Sequence, residues 1–297
     1  MTQSFELAKK FVPVLDEIYK QDSLTARLDT ANRQVAQFAG TPVVEIYKTT
    51  MGGLGDMARG ADYPVGEIVG AWEVLTLATH RARKFGVARM DDEETFGLAF
   101  GMTAGEFMRT HVIPELDAYR FAKYASTASI GTATGATLTS STVLAAIDVA
   151  KAAIRAAEVD LSQCLLFVSD TVQGYIEAAV SRMLGNENTV NRLVTIIYSM
   201  PVITVPQTRF YTGITLEAGA SASAAGGYSK TSSTGKDINF MIIDPKAVVQ
   251  VKKHELPKII SPDVNPDSDN WIFAYDVYHD AFVLDNKVGG VYLHKKA

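Results

Sequence analysis

The feature that most constrains this chain is a segment that cannot pack, set between two runs that favour extended backbone. Val43, Val44, Ile46 and Tyr47 precede it and the run from Trp72 to Val87 follows it, both rich in β-branched and aromatic residues. Between them, Gly52 to Gly70 holds six glycines and one proline and has no apolar repeat. The pattern predicts a long loop joining two strands. A weakly apolar two-stranded tip of this length is marginally stable alone, so it needs a surface to rest on, and the expected surface is another chain. The first 40 residues point the same way. Leu7, Phe11, Leu15 and Ile18 have near-helical spacing, but Pro13 interrupts them and Asp22 to Asn32 is polar. An arm of short helices with so little apolar surface must lie on the body of its subunit or on a neighbour.

The rest of the chain has the composition of an ordinary folded protein. Its 297 residues are 47% hydrophobic and 21% charged, enough for one large core or two smaller ones, which excludes a disordered chain. Lys and Arg total 28 against 33 for Asp and Glu, a net charge of -5, so no global basic field exists to grip nucleic acid. A single cysteine, Cys164, rules out an intrachain disulfide and fits a reducing compartment; its apolar neighbours predict a buried, inert thiol. Residues 1–19 are read as neither a signal nor a transit peptide, and no run of 18 apolar residues is present, so a soluble protein is expected.

From Asp91 the period becomes helical, with Phe96, Phe100, Ala104, Phe107, Met108, Val112, Leu116 and Tyr119 on one stripe. The acidic cluster Asp91 to Glu94 opposes the positive end of the helix dipole. A helix over about 93–124 would be about 48 Å long, with a bend expected at Pro114. Gly97, Gly101 and Gly105 predict a close-packed backbone or a bend. Ile130 to Ser141 reads as a boundary. Val143, Ile147, Ala150, Ile154 and Ala157 then form an amphipathic helix, with Ser140 or Ser141 as N-cap. Leu165 to Val168, Val202 to Val205 and Ile238 to Ile243 read as buried strands, Thr171 to Leu184 as a helix, and Ala218 to Gly235 as a long exposed loop. Trp271 to Val283 and Val288 to Leu293 read as a strand pair joined by a turn at Asp285-Asn286-Lys287.

Motifs that carry chemistry are weak. The histidines lie on separate segments without metal-ligand spacing. Asp263 to Asp269 imitates half a calcium loop, but Ser268 stands at the glycine position and Ala274 at the twelfth, so it reads as a polar turn. Gly53, Gly55 and Ala58 match a dinucleotide fingerprint after a strand, yet Arg59 to Pro64 cannot supply the helix that would hold a pyrophosphate. His80, Arg81, Arg83 and Lys84 form the main basic cluster, with smaller ones at Lys252-Lys253-His254 and Lys295-Lys296. On a strand, Arg81 and Arg83 share a face; they either guard a solvated sheet edge or contact an acidic neighbour or a phosphate. No catalytic, metal or cofactor site is expected.

The order of these pieces is recognisable. Phe5 to Pro13 in the arm, His111 to Arg120 in the long helix, Pro201 to Pro206, and Tyr278 to Val283 resemble the major capsid proteins of tailed bacteriophages with the Hong Kong 97 fold. The resemblance implies an α+β fold with an N-terminal arm (1–45), an extended loop (46–90), a spine helix within a peripheral domain (91–130), an inserted axial domain (131–245) and a return to the peripheral domain (246–297). It implies a virion shell subunit, assembled in a bacterial cytoplasm, that forms homo-oligomeric pentamers and hexamers around double-stranded DNA. Contact with the DNA would be weak and non-specific, and portal and scaffolding proteins would be partners. Without a charged helical prefix before the arm, a separate scaffold or prior cleavage is expected. The residues expected to make assembly contacts are Gly52, Gly53, Arg59, Trp72, Arg81, Arg83 and Lys84. Two alternatives stand beside this reading: a nanocompartment shell of the same fold, and a cytoplasmic dinucleotide-dependent enzyme using the Gly53 loop.

Overall fold

The computed structural model describes residues 23–28, 43–57, 59, 63, 65–90, 106–183, 194–219, 225–266 and 268–297. The expectations for the arm before Ser23, for residues 29–42 and for the helix before Glu106 lie outside the described residues. The architecture is α+β, as expected: the described residues form a six-stranded sheet, a three-stranded sheet and two two-stranded ribbons, with three helices of 14 residues.

The six-stranded sheet has the order β4-β13-β10-β5-β7-β6. Its strands are β4 (Gly131–Thr132), β5 (Leu165–Ser169), β6 (Ile196–Ile197), β7 (Met200–Val205), β10 (Ile238–Ile243) and β13 (Val291–Lys295). All six residues of β10 are buried because both of its faces are covered. Ile238, Met241 and Ile243 enter one core, with Phe121, Phe167 and Phe210; Phe240 and Ile242 enter another, with Leu166 and Val168. Phe121 meets Phe167 and Phe210 edge to face, with ring centroids 5.2 and 5.0 Å away.

Helices cover these two faces. α1 (Ile113–Ser126) puts Phe121 and Tyr124 on the first. α2 (Val143–Ala156) and α3 (Asp170–Met183) cover the second through Val143, Ile147, Ala150 and Ile154, and through Val172, Ile176 and Ala179. Those spacings are the amphipathic stripe read from the sequence. The N-cap of α2 is Thr142, not Ser140 or Ser141, because Thr139 starts the preceding turn and its carbonyl accepts from Thr142 and Val143 N–H. The bend expected at Pro114 is instead a π-helical turn over Met108–Val112. Pro114, with no N–H to donate, falls where the hydrogen-bond register changes.

The three-stranded sheet, in the order β11-β12-β3, lies against the first turns of α1. It comprises β3 (Thr79–Ala88), β11 (Val248–Ile260) and β12 (Asn270–Val283). Val112 and Leu116 pack on Phe273, Tyr275 and Val277 of β12. Two sequence expectations are corrected here. Trp72 to Val87 is not one extended run: it breaks at Leu77-Ala78, where the Asp280 carboxylate takes the Ala78 N–H at 3.0 Å. The final two strands are not a pair. Asp285–Gly290 forms a 3-10 segment rather than a tight turn, so β12 pairs with β11 and β3 while β13 crosses to β10 and β4.

The ribbons are β1 (Val43–Met51) with β2 (Ile68–Thr76), and β8 (Ile214–Glu217) with β9 (Gly227–Lys230). The second corrects the expectation of a loop over Ala218 to Gly235. Its small residues still allow pairing, and glycines at positive φ (Gly219, Gly226 and Gly227) shape its far end. Among the described residues, no helix is long and apolar enough to cross a membrane.

Candidate assembly surfaces

The β1–β2 ribbon has a buried root and an exposed shaft. Val44, Ile46, Leu75 and Leu77 pack on Val249, Val251 and Leu284, fixing the ribbon to β11. Lys48 Nζ closes this root with two ion pairs, 2.9 Å to Glu73 and 2.9 Å to Asp285. The hydrogen bonds that Lys48 donates to Glu73 and then to Asp285 raise its pKa. Beyond Lys48 the two strands continue in register to Met51 opposite Ile68, with both faces in solvent. Met51, Leu54, Val65, Ile68, Val69 and Trp72 are exposed. Nine residues per strand give a ribbon of about 30 Å.

Four of the expected contact residues lie on this ribbon. Trp72 is 58% exposed and meets Tyr47 edge to face at 5.1 Å. Tyr47 also lies over Gly70, where a Cβ would collide with its hydroxyl. Gly52 and Gly53 have open space around them, and Arg59 sits in a turn at the exposed end. Gly52–Met57 carries no regular structure and no helix among the described residues follows it, so the fingerprint spacing at Gly53 and Gly55 builds no helix N-terminus there.

The basic run on β3 divides by strand alternation. Arg81 and Arg83 face their own subunit. Arg81 donates to both Glu115 oxygens of α1, Nε at 2.7 Å and Nη2 at 3.2 Å, and to the carbonyls of Glu217 and Gly227. Arg83 Nη1 donates to the Gly219 carbonyl at 3.2 Å. His80 is on the other face, with Nε2 2.6 Å from Asp276, and Lys84 is exposed. The structure thus brings Arg81 and Arg83 together at a site of their own chain, well apart in role from the ribbon residues. Asp263 and Asp269 both approach Arg89, at 3.4 and 3.7 Å, while Asn265 Nδ2 donates to Ser268 Oγ and the Asn270 carbonyl. That is the hydrogen-bonded turn expected of this stretch. Among the described residues, no group of three His, Cys, Asp or Glu could hold a metal ion.

Sequence reading missed two buried polar centres. Asp117, fully buried on α1, accepts from Ser23 Oγ (2.7 Å), Thr25 Oγ1 (2.7 Å) and the Leu24 N–H (3.1 Å), and pairs with Arg209 at 3.2 Å. Arg120, one turn on, donates to Thr25 Oγ1 at 2.8 Å, and Gln250 Nε2 to the Thr25 carbonyl at 3.1 Å. Together these contacts hold the 3-10 turn Leu24–Leu28 against the helix. Asp117 and Arg120, one turn apart and set among Leu116, Ala118, Tyr119, Phe121 and Ala122, were the available signal. The second centre is Asp280, which accepts from Tyr119 Oη at 3.0 Å and the Ala78 N–H. Burial and the Asp280 carboxylate together raise the Tyr119 pKa. Cys164 is fully buried, and burial pushes its thiol up to about 12, as an inert core cysteine requires.

No protein family model and no curated protein matches this sequence. Solved structures do match in fold. The capsid structure of the cyanophage P-SCSP1u aligns over 100% of this chain and 93% of its own, with a TM-score of 0.61 at 12% identity. A structure from Gordonia phage Cozz aligns over 100% and 91%, with a TM-score of 0.60 at 13% identity. The mature capsid of bacteriophage PhiM1 aligns over 87% and 83%, with a TM-score of 0.55 at 15% identity. From root to ribbon, the chain has the fold of these phage capsid structures.

Proposed function

We propose that this chain is the structural subunit of a closed shell, a phage head that encloses double-stranded DNA, and that it has no catalytic role. The observation that carries the reading is the β1–β2 ribbon. Its root is buried in its own subunit, while a shaft and tip bearing Met51, Leu54, Val65, Ile68 and Trp72 project into solvent. A monomer gains nothing from exposing so many large apolar groups on a two-stranded element; a subunit that lays them on a neighbour does. The shared fold with the P-SCSP1u and PhiM1 capsids supports the same reading. Repetition makes modest contacts sufficient, because each subunit is held by several neighbours at once. Head-to-tail contacts that close into rings would give the pentamers and hexamers of such a shell. A net charge of -5 suits a wall that surrounds DNA with only weak, non-specific contact. A scaffolding protein and a portal would complete the assembly.

The test is electron microscopy of the expressed full chain beside a variant in which Gly52–Glu67 is replaced by a two-residue Asn-Gly turn between the paired residues Met51 and Ile68. Shells or rings from the parent, and folded unassembled subunits from the variant, are expected. Discrete small oligomers from the parent, or shells from the variant, contradict the reading. Nuclease-protected DNA inside particles recovered from infected cells tests the genome as the content.

A further inference from the structure

We propose that the β8–β9 hairpin is a latch: Arg81 and Arg83 pin its far end to the three-stranded sheet, and it opens from that seat as one unit while the six-stranded sheet stays folded. This inference does not depend on the shell reading. The hairpin has four residues per strand, none fully buried, and none belongs to a hydrophobic cluster. Its base is closed by Thr212 N–H donating to the Lys236 carbonyl and Thr231 N–H to the Gly213 carbonyl, and Tyr228 Oη ties it to the segment after β7 by donating to the Thr208 carbonyl.

At the other end the contacts are guanidinium bonds. Arg81 reaches the carbonyls of Glu217, at 2.9 Å, and Gly227, at 3.2 Å. These two residues are register partners, so one side chain holds both strands at a single rung. The two bonds to Glu115 orient Arg81, so the pin joins β3, α1 and the hairpin. Arg83 takes the Gly219 carbonyl, and Gly219, at φ +62°, is fitted to it: a Cβ there would stand 2.8 Å from Arg83 Nη1. Beneath the hairpin a cavity of about 250 Å³ is floored by Phe85, Phe107, Tyr275 and Val277. An element held by polar bonds at one end and joined through its base at the other, with an incompletely filled space beneath, opens at a lower free energy than a packed sheet.

Hydrogen exchange read by mass spectrometry on the purified full chain tests this. The amides of 214–217 and 227–230 should exchange together and at least about a hundredfold faster than those of β5 and β10. Arg81→Gln should speed the hairpin at least tenfold further and leave β5 and β10 unchanged; Arg83→Gln should act in the same direction with a smaller effect. Hairpin protection equal to that of β10 would overturn the proposal. So would an Arg81→Gln chain that fails to fold, that loosens both sheets alike, or that leaves the hairpin unchanged.

Discussion

Asp117 shows how one residue joins distant parts of this subunit. Its buried carboxylate meets Ser23 and Thr25 from the N-terminal side and Arg209 from the six-stranded unit, and Thr25 and Arg209 are buried with it. Removing one member of a buried pair leaves the other charge uncompensated, so Asp117→Ala should cost about 3–5 kcal/mol in urea unfolding. Replacing Asp117 and Arg209 together with apolar residues should recover much of that loss. A cost below about 1 kcal/mol would show that water reaches the pair. His294 gives a pH-dependent counterpart. It is buried beside Phe240 with Nδ1 3.1 Å from Asn239, and burial holds its pKa below 6.5 despite a backbone hydrogen bond acting the other way. The folded ring therefore holds a proton less tightly than an unfolded imidazole, which takes one near 6.5. Below that pH the unfolded chain therefore binds more protons, and stability falls as pH drops toward the lower native value. Melting temperature should decrease between about pH 7 and pH 5, and His294→Gln should flatten that dependence. Equal slopes in parent and variant would contradict this. Cys164, with its thiol pushed up to about 12, should resist alkylation near pH 8 until denaturant is added.

Among the elements, the β1–β2 ribbon lets its proposed role in assembly be tested apart from stability. Leu75 lies in the packed root and Trp72 on the exposed shaft, three residues away. Leu75→Ala should destabilise the subunit by about 2–4 kcal/mol, while Trp72→Ala, which loses only the edge-to-face contact with Tyr47, should cost less than about 1 kcal/mol and reduce shell yield. Similar losses of stability for both would mean that the shaft packs on its own subunit. The ribbon was legible because glycine density and β-branched runs are local signals. So were β5, β10, α2 and α3, whose burial follows directly from their apolar periods. What escaped reading was non-local. Strand 291–295 pairs with β10 rather than with the adjacent β12, and nothing near the 285–290 segment encodes that choice. The β8–β9 hairpin was hidden because β9 lies in a small-residue stretch and the arginines that hold the far end stand 136 residues earlier in the chain. The Arg81–Glu115 and Asp117–Arg209 pairs likewise join residues whose meeting depends on the completed fold.

At the scale of the molecule, a double-faced six-stranded core and a three-stranded sheet under α1 account for the folded body, and the β1–β2 ribbon is what that body leaves uncovered. In the proposed shell, copies of this chain supply the missing surface. Site-specific photo-crosslinking from Leu54, at the fully exposed end of the ribbon, tests it most directly. With a photoreactive residue at that position in the full chain under assembly conditions, irradiation should yield covalent dimers and higher multimers joining position 54 to the body of another subunit. Products confined to single chains, with position 54 joined to its own subunit, would contradict it.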